Sequence, residues 1–385
     1  MASGLSATQL ILDALRPHQT PTTWESDVTR LQADWDDLAV RAIVLGLAPQ
    51  FHIRLNNWGL DIGARASEKL SANYQAQALR NEAIFAQLSE ALIACVHRGL
   101  RPIALKGVHL AALVYSDPAM RPMNDIDLLF TPEELPAAEA MLEALGYGGR
   151  RKPADLGPGV TKHTSTFRRA GSEAATPNPY LSTGADRTIE PHTSLEESWF
   201  GLKVDVTPGV RDRSNEATLA GQPCRVLARE DLLLHLCVHF CFHLIMGAPS
   251  MVQLADLLAV TSAGGVDRQA FAERAVSDRA APYTLAALML SRKLLDAPVP
   301  NDVIDTLSRA TPAALRRRID RLSLADVLRR TQQKPLTSIP QRIRRGLVDR
   351  AETARWAVDW PGKWGVWKTA LRVGSTDTWR MVRDK

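Results

Sequence analysis

Two carboxylates and a glycine turn are the residues of this chain whose types and spacing best suit chemistry. Asp125 and Asp127 lie in Asn124-Asp125-Ile126-Asp127-Leu128-Leu129-Phe130, an alternation that predicts a strand. Residues two apart on a strand point to the same side, so the aspartates face one way while Ile126 and Leu128 face a core. Carboxylates held that close repel unless a cation lies between them. A hard divalent ion such as Mg2+ answers that need, because it takes one or two carboxylates and completes its shell with water and phosphate oxygens. Upstream, the apolar run Ile103-Ala104-Leu105 ends at Lys106-Gly107, and Val108, Ala111, Ala112 and Tyr115 then recur at helical spacing. A glycine where a strand hands over to a helix offers free backbone N–H groups and the positive end of the helix dipole, which suits a phosphate. Either half alone is common on solvated surfaces. Together they supply a turn for phosphate and a strand for the metal that phosphate brings.

The joint pattern resembles the nucleotidyltransferase superfamily that includes DNA polymerase beta, and more closely the bacterial uncharacterised nucleotidyltransferase family. Leu105-Lys106-Gly107, Tyr115-Ser116-Asp117-Pro118, Arg121-Pro122-Met123 and Asp125-Ile126-Asp127-Leu128-Leu129 carry the resemblance in order and spacing. The resemblance implies a third acidic residue from a later strand. In Arg187-Thr188-Ile189-Glu190-Pro191-His192-Thr193, Glu190 and His192 fit the family's carboxylate and histidine. Asp205, in another alternating segment, is the rival. The implied assignment is Asp125, Asp127 and Glu190 as catalytic residues and ligands of two Mg2+ ions, with Lys106, Gly107, Arg121 and His192 binding the nucleotide. Two departures stand out. Gly107-Val108 replaces the usual Gly-Ser, which removes a hydroxyl from the phosphate and leaves Lys106 or Arg121 as substitutes. Pro191 has no N–H for a ladder and is tolerated mainly at a sheet edge.

The elements that must position these residues read as an α+β protein: a small mixed β-sheet core with helices, flanked by helical regions at both ends. Residues 1–98 carry apolar positions three and four apart, as in 34–45 and 76–97. Trp24 and Trp35 belong to that packing layer. The core spans 99–229, with Thr131-Pro132-Glu133-Glu134 starting a helix that ends at Gly146. From Gly148 to Thr188 the composition turns to Gly, Pro, Ser, Thr and Arg and periodicity fades except near His163–Arg168, which predicts a long irregular loop; relative to the family it resembles, Ala170–Asp186 reads as an insertion.

Residues 230–310 are helical again. His235, His239 and His243 fall on one face of a helix and Cys237 and Cys241 on another, so the five cannot form a single metal site by themselves. The histidines are expected to pack or to hydrogen-bond. The segment 311–385 is rich in arginine and tryptophan; interleaved acidic residues favour solvated helix faces, with nucleic acid or an anionic membrane surface as the other uses.

The 385 residues suffice for two or three domains. Net charge is +5, which tilts toward anionic partners. Four cysteines without disulfide spacing, no signal-like N-terminus and no bilayer-length apolar run point to the cytoplasm. The expected activity moves a nucleoside monophosphate from an NTP such as ATP to a hydroxyl of a small molecule, sugar, peptide or protein. A nucleotide-binding module without catalysis and a nucleic-acid-directed transferase are the alternatives.

Overall fold

The structure, a computed structural model, describes residues 4–151, 165–170, 187–329 and 339–371. Five helices come first: α1 (Gly4–Leu15), α2 (Pro21–Arg30), α3 (Trp35–Leu45), α4 (Ala48–Trp58) and the long α5 (Ala64–His97). Local chemistry sets their ends. The Asp34 carboxylate accepts from the N–H groups of Asp36 and Asp37 to open α3, and Gly46 closes it in the left-handed conformation. Trp24 is fully buried, donates through Nε1 to the Leu10 carbonyl at 2.7 Å, and packs on Trp35, Phe51 and Trp58.

The central part runs β1 (Ile103–Ala104), α6 (Lys106–Leu113), β2 (Asp125–Leu129), α7 (Leu135–Ala144), β3 (Gly148–Arg151), β4 (Ser165–Arg169) and β5 (Arg187–His192). It continues with β6 (Glu197–Trp199), β7 (Leu202–Val204), α8 (Val210–Arg213), β8 (Asn215–Leu219) and β9 (Gln222–Val226). One mixed sheet has the order β3-β4-β5-β2-β1-β9-β8, parallel between β2 and β5 and between β1 and β9, and antiparallel elsewhere. β6 and β7 form a separate hairpin. The chain is thus a mixed α+β protein.

Two expectations need correction. Gly148–Arg151 is strand β3, where composition predicts an irregular loop, and it pairs with β4 (Ser165–Arg169), which overlaps the stretch His163–Arg168 where periodicity persists. Glycine at 149 serves the packing, since a Cβ there would lie 2.8 Å from the Phe167 ring. Residues 171–186 of the expected insertion lie outside the described residues, as do Arg330 and Trp379. Pro191, in turn, sits in an interior strand rather than at an edge. The His192 carbonyl bonds to the Phe130 N–H of the β2 side, so the proline nitrogen, one residue earlier, points to the β4 side. There the β4–β5 register ends at Phe167 opposite Ile189. The missing N–H thus falls just past the end of that ladder.

The remaining helices are α9 (Arg229–Met246), α10 (Met251–Ala263), α11 (Arg268–Ser277), α12 (Ala281–Leu295), α13 (Asn301–Arg309), α14 (Ala313–Asp320), α15 (Leu324–Val327), α16 (Ile339–Ala354) and α17 (Trp360–Leu371). Ile126, Leu128 and Ile189 pack with Ile84, Leu88 and Leu142 of α5 and α7 on one face of the sheet. On the other face Ile103, Leu105 and Leu129 join a larger core built from α1–α4 together with the helices after the sheet. Among the described residues no helix is long and apolar enough to cross a membrane.

α5 also holds the loop that delivers β2. Arg80 donates through Nε to the Met123 carbonyl (2.7 Å) and through a terminal nitrogen to Asn124 Oδ1 (3.1 Å). The Asn81 amide donates to the carbonyls of Pro118 (2.6 Å) and Arg121 (2.9 Å). Both side chains are buried, so the carbonyls they satisfy have little water to fall back on. Asn81→Ala is expected to lower stability by about 1–3 kcal/mol, measured by urea unfolding.

Candidate active site

Register assembles the site. Parallel pairing of β2 with β5 sets Asp127 opposite Glu190 and Leu129 opposite His192, so Asp125, Asp127, Glu190 and His192 share the face turned away from the α5 core. Glu190 Oε1 accepts from the Thr166 hydroxyl at 3.1 Å, and His192 Nε2 lies 2.6 Å from Asp127 Oδ1. Lys106 Nζ stands 3.6 Å from Asp127 Oδ2. One potential ligand atom from each of Asp127, Glu190 and His192 lies within 4.8 Å of the others. This is a set that could hold a metal ion, with Asp125 beside it.

The turn before α6 brings Lys106 there. The Leu105 N–H bonds to the Asp127 carbonyl (3.0 Å), tying the end of β1 to β2. Lys106 then takes φ +39°, a conformation that few non-glycine residues adopt and that clusters at functional sites. Its side chain thereby reaches back over the carboxylates, at the N-terminus of α6, where the first-turn N–H groups have no intrahelical acceptor. Val108 is buried in the α5-side core. The turn therefore offers a phosphate its backbone N–H groups and the Lys106 ammonium.

The electrostatics follow from crowding. Burial, and then the charge of Asp127, push the Asp125 carboxyl up to about 7, against the opposing pull of Lys106. Burial by itself lowers the Lys106 pKa, but the charges of Asp127, Glu197, Asp125 and Glu190 outweigh it and the net shift is upward. Lys106 stays an ammonium.

Arg121 is placed differently from the other expected nucleotide ligands. Its Nε and a terminal nitrogen grip the Asp256 carboxylate of α10 at 3.2 and 2.9 Å, and the other terminal nitrogen donates to the Pro122 carbonyl at 3.0 Å. Asp256 is 1% exposed and also accepts from the Tyr115 hydroxyl (2.9 Å), to which Gln50 donates (3.3 Å). The guanidinium lies so close to Gly107 that a Cβ there would come within 2.8 Å of it. Gly107 thus makes room for the pinned arginine.

Asp205 is turned elsewhere. It follows β7 and accepts from the N–H and hydroxyl of Thr207 in a local turn, so Glu190 is the carboxylate across from Asp127. His235, His239 and His243 line one face of α9, with centroid spacings of 5.8 and 4.3 Å, and His239 Nδ1 lies 2.8 Å from buried Glu197 of β6. Cys237 and Cys241 are buried in the core.

Sequence reasoning missed the contributions of Asp256, Gln50 and Glu197. For Asp256 a signal existed: an acid inside the apolar run Leu254-Ala255-Asp256-Leu257-Leu258 needs a buried partner. Arg121 supplies it. Among known families, the model described as uncharacterised nucleotidyltransferase matches residues 32–296. Comparison with curated proteins and with solved structures finds no match.

Asp256→Ala would strand the Arg121 charge and is expected to cost about 3–5 kcal/mol. The pair replacement Arg121→Met with Asp256→Leu should cost much less, as denaturant unfolding of the three proteins would record. In the metal-free protein, folded Asp125 titrates near 7 and the unfolded carboxyl near 3.8. Between these values the native state keeps a proton that the unfolded chain has released, so stability falls as pH rises through this window and stays lower above it. Asp125→Asn removes that loss. Urea unfolding in the presence of chelator should show the variant more stable than wild type by about 1–2 kcal/mol at pH 8, with the difference gone at pH 4.

Proposed function

The chain belongs to the uncharacterised nucleotidyltransferase family, and we propose that it moves a nucleoside monophosphate from an NTP to an acceptor hydroxyl in a Mg2+-dependent reaction. The observation that carries the proposal is one shared face: Asp125, Asp127 and Glu190 stand side by side on β2 and β5, with Lys106 Nζ 3.6 Å from Asp127 at the N-terminus of α6. Oxygen donors from three carboxylates fit a hard divalent cation, and the charge of Asp127 adds to burial in holding the Asp125 carboxyl above its ordinary value. Asp125, Asp127 and Glu190 would hold Mg2+, two ions in this proposal, which when bound supplies charge for the triphosphate and lowers the pKa of the attacking hydroxyl.

The chain's own residues do the positioning. The first-turn N–H groups of α6 and the Lys106 ammonium cradle the phosphates. His192, hydrogen-bonded to Asp127, orients that carboxylate. Arg121 holds the turn by its grip on Asp256, with its guanidinium beside Gly107. On the acceptor side the β6–β7 hairpin and α9 contribute Glu197 and His239, and Glu197 is close enough for its charge to act on Lys106. A core flanked in sequence by helices on both sides suits a compact acceptor, namely a small molecule, sugar, peptide or protein side chain.

A second proposal, a nucleotide-binding module without catalysis, draws on Val108 lying in the core where the superfamily usually presents a hydroxyl, and on an Arg121 committed to Asp256. Incubation with α-labelled NTPs, Mg2+ and fractionated lysate separates the two, since transfer releases pyrophosphate and labels an acceptor whereas a module only binds. Asp127→Asn is expected to reduce transfer by about 100-fold or more, and Lys106→Ala to weaken NTP binding by about tenfold. If Asp127→Asn transfers like wild type, the assignment fails. Label appearing mainly on RNA or DNA would favour the nucleic-acid-directed transferase.

A further inference from the structure

The chain places three tryptophans on the outside of one helix. Trp360, Trp364 and Trp367 are 76%, 52% and 40% exposed, and their i, i+4, i+7 spacing puts them on a single face of α17. The opposite side of the helix is docked: Val366 is fully buried, Thr369 nearly so, and Gly365 meets Gly201 so closely that a Cβ on Gly201 would lie 2.9 Å from the Gly365 carbonyl oxygen. Arg350 of α16 reinforces the mount, stacking on the Phe200 ring at 4.4 Å and donating to the Thr369 hydroxyl at 3.2 Å. The same segment does bury a tryptophan where packing asks for one. Trp356 is inside, its carbonyl accepting from the Tyr283 hydroxyl. The outward tryptophans therefore belong to a helix whose other side is packed against the protein.

Two further features describe what that face fits. Leu347, Val348 and Val358, on α16 and the connection to α17, are also exposed, at 51%, 49% and 39%, so the hairpin carries aliphatic as well as aromatic surface. Its charge is strongly basic: residues 339–371 hold seven Arg and Lys against three Asp and Glu, in a chain whose net charge is +5. Asp349 and Glu352 are already engaged by Arg345 and Arg355. At about 100° per residue, Lys363 and Lys368 flank the tryptophan row on either side. Neither has an acidic partner among the described residues.

We propose that α17, with the exposed aliphatic residues of α16, is a peripheral docking surface for an anionic phospholipid bilayer. Tryptophan settles at the boundary of headgroups and acyl chains, and lysines beside it reach the lipid phosphates. With 12 residues, α17 lies on a bilayer rather than across it. A second copy of the chain fits less well, because a two-fold contact through this face would bring its basic flanks together. Single-stranded nucleic acid would use the rings and the charge, but the aliphatic residues match acyl chains and have no counterpart on a base.

Flotation of the full-length protein with vesicles of phosphatidylcholine alone and of phosphatidylcholine mixed with phosphatidylglycerol tests this. Wild type is expected to float with the anionic vesicles only, with a blue shift of tryptophan emission and release at high salt. The triple variant Trp360→Ala, Trp364→Ala, Trp367→Ala should lower partitioning roughly tenfold or more, with an unchanged melting temperature. Should that variant fold poorly, Lys363→Glu with Lys368→Glu, at positions outside the packed side of α17, should weaken binding to anionic vesicles several-fold. Wild type that does not float with anionic vesicles, or both variants floating like wild type, overturns the proposal. So does a wild type that stays off vesicles yet dimerises, or binds single-stranded RNA, in a manner lost with the tryptophans.

Discussion

Like charges on adjacent strands are the constraint around which this molecule is arranged. Asp125, Asp127 and Glu190 are set on one face by the β2–β5 register, and a half-buried group of carboxylates is unfavourable without compensating charge. The fold answers with the Lys106 ammonium, brought over the carboxylates by a left-handed turn, while the His192 ring hydrogen-bonds to Asp127. A divalent cation would extend the same compensation. The electrostatic need of the sheet and the chemistry proposed for it have one origin.

Holding that arrangement falls to helices on both sides of the sheet in sequence. Arg80 and Asn81 of α5 fix the loop before β2 through its own carbonyls. From the other end of the chain, Asp256 of α10 clamps Arg121, and Tyr115 and Gln50 complete its hydrogen bonds. A buried ion pair adds little net stability compared with apolar packing, but removing one partner is costly. Such a pair locks geometry, here the glycine turn relative to the helices that follow the sheet.

The C-terminal hairpin joins the same body. α17 seats on Gly201, between β6 and β7, and β6 carries Glu197, the partner of His239. The outward tryptophan face and the carboxylate face are thus connected through one small hairpin.

By itself the sequence determined the short-range parts. The alternation in Asn124–Phe130 specifies a strand with both aspartates on one side, Lys106-Gly107 marks a strand-to-helix turn, and the spacing of α3 and α9 declares helices, because period and turn chemistry are local properties. It also carried the family motifs, and with them Glu190 and His192 as partners of the Asp pair. The tertiary structure decided what depends on residues far apart in the chain. Only pairing across strands set Glu190 opposite Asp127 while Asp205 turned to Thr207, and made a strand of Gly148–Arg151, whose composition reads as loop, by setting it against Ser165–Arg169. Arg121 looks from its motif like a phosphate ligand, yet its bidentate bond to an aspartate 135 residues away takes up much of its guanidinium. The exposure of Trp360, Trp364 and Trp367 beside a buried Trp356 is likewise invisible in composition, since which face of a helix meets the core is settled by what packs against it.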